Sequence, residues 1–364
     1  MDYSSEVQTK LARARALMAE HGLSALWLRT VNSVAWITGG VDVAVNHADT
    51  IGVASVVITP DAATVYTNTI EGPRLRGEDG VEARGFALKV SPWEGEQPPE
   101  LGSAPGADVP TAGAKDLSRA VKIVRSRLLP VEVERFRSLG RACGVAMNAA
   151  IRRVRPGMTE WQIAGVLAEE TYAQGVTPIV VLIATDERIF RYRHPLPTGK
   201  TLDKYAMLVL CGRREGLVCS VTRLVHFGPL PDEIRRKMDA CAQVDAAIIA
   251  ASQPGASLDA LFKTLQDAYA RAGFADEWKL HHQGGTAGYA AREFIAVPGE
   301  TETLEPGMVC AWNPSITGVK SEDSVLVPQA GNMPEIVTAI EGWPTQPVTV
   351  NGRTIARPLI LEVS

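Results

Sequence analysis

Two stretches of the chain share one pattern. RPGMTEWQIAGVLAEETYAQG runs from Arg155 to Gly175, and QPGASLDALFKTLQDAYARAG from Gln253 to Gly273. In each, a Pro-Gly ends one helix and a Thr or Ser caps the next. A glycine nineteen residues after the proline then stops that helix. Thr159 and Gln162 have the spacing of a capping box. Each copy leads into an apolar segment predicted as a strand, TPIVVLIA or WKLHHQGG. A strand pair follows, YAMLVL with LVCSVTRLVHF or GMVCAW with SEDSVLV. A helix, helix, strand and hairpin unit that occurs twice predicts two halves about a pseudo-twofold axis. The binding cleft is expected between the halves.

The duplication leaves the first third of the 364 residues for a second domain. Val7, Leu11, Ala14 and Met18 fall three or four apart and predict a first helix, stopped by Gly22. SALWLR, GVASVVIT and ATVYTN then alternate with turn signals and predict an α/β domain over residues 1–125. Residues 90–114 are rich in Pro, Gly and Ala and read as irregular surface leading to a linker. Phe136, Leu139, Cys143, Met147, Ala150 and Val154 form one apolar stripe, which predicts a long helix from about Pro130. It opens a second domain over residues 126–364.

Composition narrows the function classes. A net charge of −4 gives no basic excess for nucleic acid. No apolar run is as long as a membrane span, and MDYSSEVQTK lacks the apolar core of a signal peptide. The five scattered cysteines read as reduced core residues, which points to a cytoplasmic protein.

The repeat, with HPLPTGKTL, HHQGGTAGYAARE, LEPGMVCAWNP and KSEDSVLV in this order, resembles the peptidase M24 family of creatinase, aminopeptidase P and prolidase. NSVAWITGG resembles that family's small N-terminal domain. The resemblance covers essentially the whole chain. It implies a mixed α/β (α+β) protein with a small creatinase-like N-terminal domain and a C-terminal pita-bread domain carrying the internal duplication. It also implies a homodimer.

Active peptidases of the family hold two metal ions with two Asp, one His and two Glu, because paired divalent ions need several hard anionic oxygens. Carried onto this chain, the set is broken. In CGRREGLVCSVTR, Ser220 stands where the second Asp belongs, and the first falls near Cys211 or Val209. Between Lys204 and Pro231 there is no Asp, and Glu215 is the only acid. Gly285 stands at the histidine ligand, Asn313 at the first glutamate, and only Glu322 matches. The expectation is therefore no metal and no other cofactor.

Creatinase resembles this group yet hydrolyses a C–N bond without metal, using a histidine as proton shuttle. The matching histidine is His194, and a side chain that titrates near neutrality suits that task. Thr222 stands where creatinase carries a Glu for its guanidinium substrate, which argues against creatine. His194 and Glu322 are the candidate catalytic residues. Candidate substrate contacts are His281, His282, Asn313, Thr222, Arg223, Ser220, Arg292 and Glu293. His281 and His282, as neighbours on a predicted strand, face opposite ways, so at most one of them enters the cleft. Three readings follow: a metal-independent hydrolase of a small amide or related C–N substrate, a catalytically silent relative that binds a small molecule or short peptide, and an Xaa-Pro metallopeptidase with an unrecognised metal site.

Overall fold

The computed structural model describes residues 3–95 and 99–364. The chain divides into two compact units. One runs to Val131 and includes Glu215–Leu217; the other takes Glu132–Arg214 and Val218–Ser364.

The first unit contains helices α1 (Tyr3–His21), α2 (Val31–Thr38), α3 (Gly72–Gly77) and α4 (Ser118–Arg125). Its strands are β1 (Ala25–Thr30), β2 (Ile51–Ile58), β3 (Ala63–Asn68), β4 (Ala87–Ser91), β5 (Pro105–Ala107) and β6 (Lys115–Asp116). They form one sheet in the order β4-β3-β2-β1-β5-β6. Helix α1 buries Val7, Leu11, Ala14 and Met18, and Gly22 ends it at φ 63°. The expected linker over residues 90–114 is corrected here, although residues 96–98 lie outside the described part. Within it, β5 pairs in parallel with β1, and Gly106 and Ala107 are buried. Three residues are too few to show a strand alternation, so their Pro/Gly/Ala composition reads as loop.

The second unit takes nearly all of α5 (Pro130–Arg153), then α6 (Glu160–Ala173), β7 (Thr177–Thr185), α7 (Glu187–Arg191), β8 (Tyr205–Arg214) and β9 (Leu217–Phe227). Helices α8 (Asp232–Ala251) and α9 (Leu258–Arg271) follow, then a 3-10 turn over Glu277–Leu280. The remaining strands are β10 (Gly284–Ala287), β11 (Phe294–Ile295), β12 (Val309–Trp312), β13 (Ser315–Ile316), β14 (Val319–Lys320), β15 (Asp323–Leu326), β16 (Glu335–Ile336), β17 (Thr345–Val350), β18 (Arg353–Pro358) and β19 (Leu361–Val363). Two larger sheets result, β19-β9-β8-β7 and β11-β10-β12-β15-β16. No helix among the described residues is long and apolar enough to cross a membrane.

The duplication holds at the level of single hydrogen bonds. Thr159 and Ser257 cap α6 and α9 through the amides of Gln162 and Ala260. Gly157 and Gly255 turn the chain at φ 87° and 86°, a conformation that favours glycine. Their amides donate to Leu202 O and Leu304 O, both at 2.8 Å. Return bonds run from Leu202 N to Met158 O and from Leu304 N to Ala256 O, both at 2.9 Å. The copies then diverge. The first leads into the nine-residue strand β7, whereas in the second WKLHHQGG makes a 3-10 turn before β10 starts at Gly284. Across the middle of the unit, Thr222 of β9 forms an antiparallel bridge with Glu322, just before β15.

Candidate active site

That bridge sets which side chains share a side. Successive strand residues point opposite ways. Thr222 and Glu322 point to one side, where Thr222 Oγ1 donates to Glu322 Oε2 at 2.5 Å. Arg223 and Asp323 point to the other, paired at 2.9 Å. Arg223 therefore leaves the set of substrate contacts: its guanidinium is spent on Asp323, Thr338 O and Thr222 O in a buried network. Glu293 also leaves it, being 3% exposed and accepting the Ala290 amide in the turn before β11.

On the Glu322 side the structure gathers a group that sequence reasoning did not name. Lys320 lies two residues before Glu322, and its ammonium sits 2.8 Å from Glu322 Oε2. Arg292 reaches Glu322 Oε1 at 3.3 Å and Ser220 Oγ at 3.4 Å. Ser220 also touches Cys211 Sγ at 3.2 Å. Burial opposes ionisation of Glu322, but Lys320, Arg292 and the Thr222 hydroxyl overcome it and hold the carboxyl down to about 2. Burial pushes the Cys211 thiol up to about 11, so it stays protonated and is no nucleophile. The signal for Lys320 lay in the sequence: residues 320 and 322 share a side of any extended segment.

Facing these charges are three imidazoles. His194, on the segment after α7, brings a ring nitrogen within 4.8 Å of one from His281 and one from His282. Both neighbours enter the site, which corrects the expected alternation. The pair lies outside any strand, between the 3-10 turn that ends at Leu280 and the start of β10, and the His281 and His282 rings lie 4.4 Å apart. Burial lowers all three imidazoles, the charge of Lys320 adds to it in each, and that of Arg292 in His194 and His282; His281 falls to about 3 and His282 to about 4.

The protons can be placed by elimination. His281 is neutral, and its Nδ1 contacts His282 O, a carbonyl that can only accept. Nδ1 therefore carries the hydrogen, and Nε2 is an acceptor. His194 Nε2, 3.0 Å away, is then the donor. This leaves His194 Nδ1 as the bare nitrogen of an exposed ring. Asn313 is 2% exposed, and its Oδ1 has no hydrogen-bond partner among the described residues. A cavity of about 630 Å³ lies against the first unit's sheet beside Trp27, Arg29 and Tyr66, and none of the candidate site residues lines it.

The acid side of the stability curve follows from these imidazoles. His281 and His282 have folded pKa values below their ordinary 6.5. The unfolded chain takes up protons that the folded chain refuses, so stability is complete above 6.5 and is lost as pH falls toward 4 and 3. Glu322 extends the loss from 4.5 toward 2. Urea melts at stepped pH should show these two imidazoles adding close to two protons per chain to the uptake on unfolding at about pH 5, and about one fewer in His282→Ala. A stability that stays flat from pH 7 to about pH 5 would contradict the assignment.

The paired helices, mirrored hairpins and central polar cluster define a pita-bread protein with a small N-terminal domain. The chain belongs to metallopeptidase family M24, whose model matches residues 134–329. It is 25% identical over 226 residues to an Xaa-Pro dipeptidase of Lactobacillus helveticus, covering 59% of this chain and 61% of that protein. It is 27% identical over 206 residues to the agropine synthesis cyclase of Rhizobium rhizogenes, covering 49% and 51%. The chain thus spans about three-fifths or less of the length of these curated relatives. The crystal structure of the prolidase from Pyrococcus horikoshii OT3 superposes with a TM-score of 0.75 at 16% identity, covering 92% of this chain and 99% of that one.

The family's two-metal centre does not fit the residues present. Ser220, Gly285 and Asn313 offer no anionic oxygen, and both oxygens of Glu322 are engaged by Lys320, Thr222 and Arg292. A side chain cannot simply be restored at 285, because a Cβ there would lie 2.0 Å from Phe294 O.

Proposed function

We propose that the protein is a metal-independent hydrolase of a small amide or related C–N substrate that carries a carboxylate. The observation that carries this reading is Lys320. With the imidazoles neutral, Lys320 and Arg292 against Glu322 give the site a net charge of +1 from fixed side chains. Fixed cations of this kind can grip an anion and stabilise a developing oxyanion. Lys320 has three N–H donors, of which Glu322 occupies one among the described residues.

In this mechanism Arg292 holds the substrate carboxylate and Lys320 donates to the scissile carbonyl oxygen. A water attacks the carbonyl carbon while His194 Nδ1 takes its proton. The tetrahedral oxyanion is held by Lys320. Its collapse breaks the C–N bond, and the His194 imidazolium returns the proton to the leaving nitrogen. His281 Nε2, accepting from His194 Nε2–H, orients the ring and favours the imidazolium. Glu322 stays ionised and positions both cations. Similarity to a cyclase as well as to a dipeptidase supports chemistry wider than peptide cleavage.

One observation favours the catalytically silent alternative: the contact that His194 makes in the site is with His281, and neither Glu322 nor Asn313 is in hydrogen-bond range of it. The two readings separate in one experiment. N-acyl amino acids, N-carbamoyl amino acids and proline dipeptides are incubated with the protein in excess chelator. Turnover of a carboxylate-bearing member is expected, unchanged by chelator and reduced about 10²–10⁴-fold in His194→Ala. Turnover that requires added manganese or cobalt would return the chain to the metallopeptidases. Calorimetric binding of the same compounds without turnover would make it a binding protein.

A further inference from the structure

We propose that His194, His281 and His282 form a site for one borderline divalent transition ion, such as Zn²⁺, Co²⁺ or Ni²⁺, separate from the family's carboxylate centre. Four observations support it. The three ligand nitrogens converge within 4.8 Å of one another from two distant chain segments. The His194 Nε2 to His281 Nε2 separation is 3.0 Å. Ligand bonds of about 2.0–2.1 Å place neighbouring nitrogens on one ion roughly 3.0–3.4 Å apart, so small ring movements accommodate an ion between them. His281 Nδ1 contacts the His282 carbonyl, the outer contact that fixes a ligating imidazole with Nε2 free for the metal. Lastly, His282 Nδ1 is buried without a hydrogen-bond partner among the described residues.

The donor set selects the ion. Three neutral imidazoles with no carboxylate favour zinc, cobalt, nickel or copper over magnesium, calcium or manganese. Binding requires His194 to exchange tautomers, moving its hydrogen from Nε2 to Nδ1, and no net proton leaves the site. Lys320 and Arg292 face the imidazoles, with Glu322 offsetting one of the two charges, so the ion binds against a residual positive field. Removing Lys320 therefore tightens it. The last consequence rests on the hydrolase reading. An ion held by His194 places the ring's hydrogen on Nδ1, the nitrogen that the proton shuttle needs bare, so metal inhibits this protein.

The test needs no substrate. Chelator-stripped protein is titrated with Co²⁺, followed by d–d absorption, and with Zn²⁺ by calorimetry. One equivalent is expected. The absorption should vanish in His281→Ala and in His194→Ala, persist in His47→Ala at the exposed loop, and appear at lower Co²⁺ in Lys320→Met. Imidazole NMR of the unmodified protein guards against misfolded variants: Zn²⁺ should shift three of the six histidines, His194, His281 and His282, and leave His21, His47 and His226 in place. No binding, equal loss in His47→Ala, or two equivalents that depend on Glu322 would each overturn the site. One equivalent bound without loss of any chelator-insensitive turnover would overturn the inhibition and leave the hydrolase reading standing.

Discussion

Asp323→Ala should lower the free energy of unfolding by about 3–5 kcal/mol, the scale for removing one partner of a buried ion pair. Asp323 is 1% exposed and accepts from two guanidiniums, Arg223 at 2.9 Å and Arg357 at 2.5 Å. Thr338 Oγ1 adds a third bond at 2.7 Å. Arg357 continues the network to Asp245 at 2.5 Å, and Ser321 closes it. An alanine leaves two buried cations sharing fewer acceptors, and the neighbouring strands keep them from reaching water. Domains of this kind have only about 5–15 kcal/mol in hand, so a large part of the folded population is at stake. The measurement is a shift in the urea midpoint at constant slope. A loss below about 1 kcal/mol would mean that the network contributes little beyond filling space.

Lys320→Met should cost about 10²–10³ in kcat if its ammonium stabilises the oxyanion. A second readout does not depend on substrate. Lys320 is among the causes that lower His194, His281 and His282, and among those that hold Glu322 at about 2. With a neutral side chain at 320, all four groups should titrate at higher pH, the imidazoles because a like charge is gone and the carboxyl because a partner is gone. The acid loss of stability from the two neighbouring histidines should then still begin near 6.5, where the unfolded chain protonates, but be smaller and end at higher pH, since their folded values move back toward 6.5. NMR titration of the ring signals checks this directly. Unmoved imidazole pKa values would show that Lys320 does not face them and would remove it from the proposed chemistry.

The duplicated frame was legible because its signals are local. Pro156-Gly157 and Pro254-Gly255 need a left-handed turn, and Thr159 and Ser257 need only the next three residues to cap a helix. The departures from the family's ligand pattern rest on a different kind of signal: Ser220, Gly285 and Asn313 are placed by flanking motifs without knowing any distance. What failed needed three dimensions or a correct local geometry. WKLHHQGG is apolar enough to read as strand, so the alternation rule separated His281 from His282, whereas both lie in the irregular link between the 3-10 turn and β10, with their rings 4.4 Å apart. PGA at 105–107 is a strand only because β1 offers it an edge. Arg223 looks like an anion grip until its partner across the bridge, Asp323, is known.

The segment from Lys320 to Asp323 also sets how freely this protein can change its trade. Lys320 and Glu322 project on the side of the imidazoles whose charge they influence, while Ser321 and Asp323 lock into Asp245, Arg223 and Arg357 behind them. Odd-numbered positions carry the foundation and even-numbered ones the tools. A catalytic centre mounted in this way can exchange metal for ammonium, or one substrate for another, through single viable steps, since each exchange is made on a footing that does not move.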